Sequence, residues 1–133
     1  MGKKFDVRMD PDAAKEYQKL DAAYKRLVNK SIDELEFRAD EVGKPLGNQS
    51  SSKLAGCKEI KLRDIGIRII FRVTNETVDV LRIVYIVSIE QRSKDFVFRI
   101  SNKRYGKFKN IPKAGLKEYL ARQKKWKDER KEK

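Results

Sequence analysis

Cys57-Lys58-Glu59-Ile60-Lys61-Leu62-Arg63 runs through Asp64-Ile65-Gly66 into Ile67-Arg68-Ile69-Ile70-Phe71-Arg72-Val73. Charged and apolar residues alternate on either side of a short turn ending in glycine, the pattern of a β-hairpin. Side chains in a strand point alternately to opposite faces. Cys57, Glu59, Lys61 and Arg63 therefore share one face of the first strand, with Ile60 and Leu62 on the other. On the second strand Arg68, Ile70 and Arg72 share a face, opposite Ile67, Ile69, Phe71 and Val73. Pairing the two strands sets Lys61, Arg63, Arg68 and Arg72 around one carboxylate, Glu59.

Downstream, Thr74-Asn75-Glu76-Thr77 reads as a turn and residues 78–89 as a third strand. Val84, Ile86, Val87 and Ile89 are too continuous for a half-exposed strand, which places this one inside the sheet. Arg92, just past it, falls close to the basic face. Upstream, Phe5, Val7 and Met9 alternate with Asp6 and Arg8 as a short strand. Asp10-Pro11-Asp12 then starts a helix: a capping carboxylate, a proline for the first turn and an acid at the positive end of the dipole. Its apolar stripe is Ala13, Tyr17, Leu20, Tyr24, Leu27 and Val28. Ser31-Ile32-Asp33-Glu34 has the form of a capping box, so a second helix is expected from Ser31, stopping at Gly43 before Pro45. Tyr17, Tyr24, Phe37 and Phe71 are expected in the core. Residues 44–53, with Pro45, Gly47, Asn48 and Ser50 to Ser52, read as a mobile loop. Residues 93–105 fit a helix with Phe96 and Ile100 inward, or a strand on which Phe96, Phe98 and Ile100 alternate. Residues 112–127 look helical, with Leu116, Tyr119, Leu120 and Trp126 on one side.

The expected fold is α+β: an N-terminal helical hairpin on a four-stranded, mainly antiparallel sheet in the order β-α-α-β-β-β. The helices cover one sheet face and leave the other as a working surface. Residues 1–105 form the expected domain, and residues 106–133 a basic helical extension.

Charge narrows the partner. The 133 residues carry a formal net charge of +13. Residues 1–50 are neutral overall, with ten Lys/Arg against ten Asp/Glu, whereas residues 99–133 hold fourteen against four. Such an excess favours a polyanion, because Lys and Arg release counterions from phosphates. Histidine is absent and Cys57 is the single cysteine. Ser-His and Cys-His catalysis, histidine zinc sites and an internal disulfide are thereby excluded. No metal and no cofactor are expected. No secretory signal or membrane-spanning stretch is visible, so the cytoplasm is the expected compartment and no membrane a partner. The Cys57 thiol reads as packed and inert.

The basic face suits RNA cleavage without metal. Attack by a 2′-hydroxyl needs that group deprotonated, the phosphate charge stabilised and the 5′ oxygen protonated. Arginines clamp a phosphate as a bidentate fork and stabilise its transition state. Glu59 and Lys61 are the candidate proton carriers, and Glu59, Lys61, Arg68 and Arg92 form the candidate catalytic set. Lys61, Arg68 and Arg92 are expected to converge on one concave, phosphate-sized pocket. Arg63, Arg72, Lys103, Arg104, Lys107 and Lys109 are candidate RNA-binding residues. In the tail Lys124, Lys125 and Lys127 could grip phosphates, and Tyr105, Phe108 and Trp126 could stack on bases. A tail helix docked on the core, with a basic outer side, is the other reading and the favoured one.

The stretch from Leu54-Ala55-Gly56 through Val73, with Val87-Ser88-Ile89-Glu90-Gln91-Arg92-Ser93 and Asp95-Phe96-Val97-Phe98, resembles the RelE/ParE family of toxins over roughly residues 4–105. The resemblance implies a type II toxin–antitoxin module. RelE members cut mRNA in the ribosomal decoding site and are neutralised by a co-expressed antitoxin; ParE members share the fold and inhibit DNA gyrase. The implied partners are a cognate antitoxin, the ribosome and mRNA. Lys61 stands at the family's second lysine, and Arg68 and Arg92 at its phosphate-binding arginines. Glu59 replaces the first lysine, the proposed base, and some relatives use a glutamate there. Phe98 replaces a catalytic tyrosine and has no hydroxyl; Tyr85 and Tyr105 are the phenols available to substitute.

Overall fold

The computed structural model describes residues 2–49, 52–78, 80–121 and 126–127. The chain runs β1 (Phe5–Met9), α1 (Pro11–Lys19), α2 (Ala22–Arg38), β2 (Lys44–Pro45), β3 (Asn48–Gln49), β4 (Ser52–Lys53), β5 (Cys57–Leu62), β6 (Ile67–Val78), β7 (Leu81–Glu90), α3 (Lys94–Lys109) and α4 (Lys113–Ala121). A five-stranded sheet has the order β1-β7-β6-β5-β2, and β3 and β4 form a separate two-stranded ladder. β5, β6 and β7 are an antiparallel meander, and β1 lies parallel to β7. The α+β class holds, but residues 44–53 contribute three short strands rather than only a loop: β2 makes the main sheet five-stranded instead of four, and β3 and β4 pair with each other.

Local chemistry explains the helices. The Asp10 carboxylate accepts from the backbone N–H of Asp12 at 2.8 Å and of Ala13 at 3.3 Å, capping α1 with Pro11 in its first turn. The second helix is capped ten residues earlier than the Ser31 capping box implied, at Asp21. Leu20 is extended and Asp21 caps α2 by accepting from Tyr24 N at 2.9 Å, so Ser31 and Glu34 lie inside a helix. The apolar stripe passes through the break nearly in phase, so periodicity does not register it.

Each sheet face carries its own core. Tyr17, Val28, Ile32 and Leu35 of the helical hairpin cover Val7, Met9, Ile67, Ile69, Phe71, Val84 and Ile86. Phe37, expected in the core, is 38% exposed. The opposite face is not left open. Val97, Phe98 and Tyr105 of α3 and Leu116 of α4 bury Cys57, Ile70, Ile83, Tyr85 and Val87. Residues 93–105 are thus helical, with Val97 and Phe98 facing inward and Phe96 and Ile100 only partly covered. A register shift puts both Val87 and Ser88 of β7 on the α3 side, where Ser88 Oγ lies 2.7 Å from Ser101 Oγ. The turn expected at residues 74–77 is also absent. β6 continues to Val78 through an irregularity at which Thr74 Oγ1 donates to the Ile83 carbonyl at 2.8 Å.

The tail crosses from one core to the other. Tyr119 Oη lies 2.9 Å from Tyr85 Oη on the α3 side. Trp126 is 1% exposed in the helical-hairpin core, edge-on to Tyr17 at 6.0 Å between ring centroids, and Lys127 Nζ donates to Asp6 Oδ1 at 2.8 Å. α3 runs unbroken through residue 105. Burial alone would raise the Asp6 carboxyl, but hydrogen bonds from Arg8 and Lys127 hold it below its ordinary value of 3.8. A carboxylate lowered in the folded state contributes stability above its unfolded pKa and loses it as pH falls through the folded one. Trp126, the only tryptophan, reports on this contact. Its emission is expected to stay that of a buried indole above the ordinary carboxylate range and to shift red in acid below it. Asp10 and Glu16 are raised by burial and act with the opposite sign, so the local emission is the measurement rather than global melting. Emission unchanged to the acid limit of the fold would show that the ion pair does not hold the tail.

Candidate active site

Strand register builds the site. Lys61 of β5 is the Cα partner of Arg68 of β6, and Arg68 is in turn the partner of Glu90 of β7. This cross-strand row lies on the face that α3 covers further along. Glu59 is two residues before Lys61 on the same face, and its Oε2 accepts from Arg68 Nη1 at 2.7 Å. The Glu59 side chain is 9% exposed and that of Arg68 16%, so water is largely kept from this pair. Arg92 stands two residues past Glu90, in the turn before α3. Its Nε is 3.9 Å from Glu90 Oε1, and its guanidinium lies over the Phe96 ring, 4.5 Å from the centroid.

Lys94 joins this end of the molecule, with Nζ 5.6 Å from the centroid of Phe98. The sequence does not single out Lys94, because residues 93–105 read equally as strand or helix. The local signal is Ser93, whose side chain accepts from Phe96 N at 3.3 Å and caps α3. That cap places Lys94 and Phe98 one turn apart on one helix side.

Lys61, Arg68 and Arg92 gather at one end of the sheet, but they do not close a single concave pocket. Lys61 and Glu59 line a groove of about 500 Å³ beside α2, shared with Leu27 and Ile60. Arg92 opens instead onto a hollow of about 410 Å³ between α1 and α3, with Glu16, Glu90 and Phe96. The cause is the turn after β7, which carries Arg92, 64% exposed, past the sheet's end and onto Phe96. Arg63 also leaves the expected face, since it starts the single 3-10 turn that follows β5. Arg72 stays on the face but lies further along β6, opposite Cys57.

The basic residues of α3 divide by direction. Lys103, Lys107 and Lys109 are exposed. Arg104 is turned inward: Nη1 and Nη2 donate to the two Glu16 oxygens at 3.0 and 2.9 Å, and Nη1 also donates to the Val87 carbonyl at 3.2 Å. Glu16 accepts from Ile89 N at 3.0 Å. The Arg104–Glu16 pair therefore satisfies the backbone of β7 beyond the end of β1, where no strand does so. The aromatic residues suggested for base stacking are occupied internally: Tyr105 is 5% exposed, Phe108 stacks on Tyr85 at 3.9 Å, and Trp126 is in the core. Lys127 is tied to Asp6, and Lys124 and Lys125 lie outside the described residues.

Neither substitute phenol reaches the Glu59–Arg68 pair. Tyr85 donates to Asp10 Oδ2 at 3.2 Å, and burial raises its pKa strongly. Tyr105 is two turns along α3 from Phe98, about 10 Å at 1.5 Å per residue. The Cys57 thiol is pushed up to about 12 by burial, which fits a packed, unreactive group. Among the described residues no group of three or more acidic or cysteine side chains is placed to hold a metal ion, and no helix is long and apolar enough to cross a membrane.

No family model matches the chain. A curated RelE-like toxin protein of Escherichia coli is 30% identical over 104 residues, covering 76% of this chain and 97% of its own length. A mutant of E. coli toxin RelE in the free state has the same fold, with a TM-score of 0.57 at 24% identity over 78% of this chain and 98% of that one. The mutant toxin in complex with an antitoxin RelBc peptide gives 0.50 at 27% identity, covering 71% and 90%. With a relative at this identity spanning nearly its whole length, and the meander and helical hairpin in place, the chain belongs to the RelE-like toxin family.

Proposed function

We propose that this chain is the toxin of a type II toxin–antitoxin module and cuts mRNA in the ribosome without a metal ion. The observation that carries this reading is the paired Glu59 and Arg68 beside Lys61, at the end of the sheet where Arg92 and Lys94 also gather. In the proposed reaction Glu59 takes the proton from a ribose 2′-hydroxyl. The freed oxygen bonds to the adjacent phosphorus, and the bond from phosphorus to the 5′ oxygen breaks. The products are a 2′,3′-cyclic phosphate and a 5′-hydroxyl end. The Arg68 N–H groups not engaged by Glu59, together with Lys61, offset the charge that builds on the phosphate oxygens, and Arg92, opening on the neighbouring hollow, holds an adjacent phosphate. Lys94, over Phe98, is the candidate donor to the leaving oxygen. Arg63, Lys103 and Lys107 are exposed and suited to phosphates of mRNA or ribosomal RNA.

A cognate antitoxin is the proposed partner; a RelB peptide bound to a 27%-identical toxin supports it. The proposed compartment is the cytoplasm, where ribosomes and mRNA meet. Residues 106–133 are proposed as an extension beyond the toxin domain.

Primer extension on mRNA held by programmed ribosomes tests the reading. New 5′ ends are expected only with both ribosomes and toxin present. Glu59→Gln is expected to slow cleavage about 10²–10⁴-fold, the usual contribution of a positioned proton acceptor. A second reading, a toxin of this fold that binds its target without cutting, is favoured by Phe98 and by the absence of a phenol near Arg68. Growth arrest with intact mRNA would select it, and gyrase-dependent DNA breaks would give it a ParE-like target.

A further inference from the structure

Among the described residues the partly buried cations are nearly all matched. Arg68 has Glu59, Arg104 has Glu16, Lys127 has Asp6, and Lys58 Nζ donates to the carbonyls of Ala39, Asp40 and Val42, just past the second helix. Arg72 is the exception. The residue is half-buried, yet among the described residues it makes no hydrogen bond or ion pair.

Arg72 is nevertheless held in place. It lies over Gly56, whose φ is +94° and where an added Cβ would fall 1.7 Å from Nη1. Glycine is needed here both for the backbone conformation and for this close approach. Arg72 also acts on the Tyr105 hydroxyl, which makes no hydrogen bond among the described residues. The Lys109 ammonium sits 4.8 Å from the centroid of the Tyr105 ring. Both cations act on the Cys57 thiol, where burial is the larger influence. Two positive charges acting on one buried thiol, with no carboxylate paired to Arg72 among the described residues, favour a bound anion.

We propose that Arg72, Lys109 and the Tyr105 hydroxyl form a second phosphate subsite for the RNA chain, distinct from the Glu59–Arg68 pair. This rests on the RNA reading above. Arg72 is four residues from Arg68 on the same face of β6, about 13 Å at ~3.3 Å per residue. Phe98, Asn102, Tyr105 and Lys109 succeed one another at spacings of three and four along α3, so one helix flank joins the two positions. Two anchored phosphates at that distance belong to one extended polyanion. Its class is single-stranded RNA of several nucleotides, held away from the bond that is cut.

The test uses 2′-O-methyl RNA, which cannot be cleaved by its own hydroxyl, as a labelled dinucleotide and a labelled hexanucleotide at low salt. Arg72→Gln is expected to weaken hexanucleotide binding about tenfold and to reduce the salt slope by about one phosphate. Dinucleotide binding is expected to be unchanged, whereas Arg68→Ala weakens both. Lys109→Gln acts in the same direction as Arg72→Gln with a smaller loss, and a thermal melt confirms that each variant is folded. Equal hexanucleotide affinity for wild type and Arg72→Gln overturns the subsite, as does a wild type that does not bind the hexanucleotide. A hexaglutamate peptide is the competing probe: Arg72-dependent binding of the peptide but not of RNA assigns the cluster to an acidic protein segment and also overturns it. Arg72-dependent RNA binding with no cleavage on programmed ribosomes leaves the subsite standing and removes only the nuclease reading.

Discussion

Arg68→Ala is expected to reduce ribosome-dependent cleavage about 10²–10³-fold, or about 3–4 kcal/mol of transition-state stabilisation. The size follows from position. Arg68 is the cation in hydrogen-bond contact with Glu59, and it lies in the middle of the row from Lys61 to Glu90. Its loss removes donors from a site partly shielded from water, where each is worth more than at an open surface. The substitution also strands Glu59, which is 9% exposed, and breaking one partner of a buried pair destabilises a fold by about 3–5 kcal/mol. The two effects separate in the double variant Arg68→Ala/Glu59→Ala. Removing both charges is expected to restore much of the melting temperature while cleavage stays lost. If cleavage returned along with stability, Arg68 would be a structural residue and the proposed role would fail.

Trp126→Ala carries the second large effect, a loss of about 3–5 kcal/mol in unfolding free energy, typical for removing a large aromatic side chain from a core. The indole is 1% exposed and meets Tyr17 edge-on within the core that also holds Phe5, Val7 and Met9. Its loss opens a cavity between β1 and α1 and releases the segment that ties Lys127 to Asp6. Trp126→Phe is expected to retain most of the stability. It keeps an aromatic ring against Tyr17 and deletes an Nε1–H that has no acceptor among the described residues. Urea unfolding followed by circular dichroism measures both. A loss below about 1 kcal/mol for Trp126→Ala would mean that the tail adds little to the fold.

Much of the site was legible because strand alternation is a local rule. Apart from Arg63, the faces assigned to the strand residues between Cys57 and Val73 are the faces observed, and the register that joins Lys61 to Arg68 follows from the hairpin turn. The continuous apolar run in β7 correctly placed that strand between two neighbours. The misreadings and the reading left open share one feature. The helix break at Leu20-Asp21, the continuation of β6 past Thr74 and the helical state of residues 94–109 are choices between locally similar alternatives, decided by contacts with distant residues. The inward turn of Arg104 is of the same kind. No pattern near residue 104 indicates Glu16, 88 positions away, as its partner.

Composition, alternation and capping residues alone therefore determine a basic α+β domain with a cationic sheet face. Each of these acts within a few residues, where backbone geometry permits few alternatives. Tertiary structure decided how much of that face stays open. Burying Val97, Phe98, Tyr105 and Leu116 removes enough apolar surface from water to fold α3 and α4 over the sheet. What remains is a row of charges at one end and an unmatched Arg72 further along. That outcome depends on which apolar surfaces meet, and no short stretch of the chain encodes it.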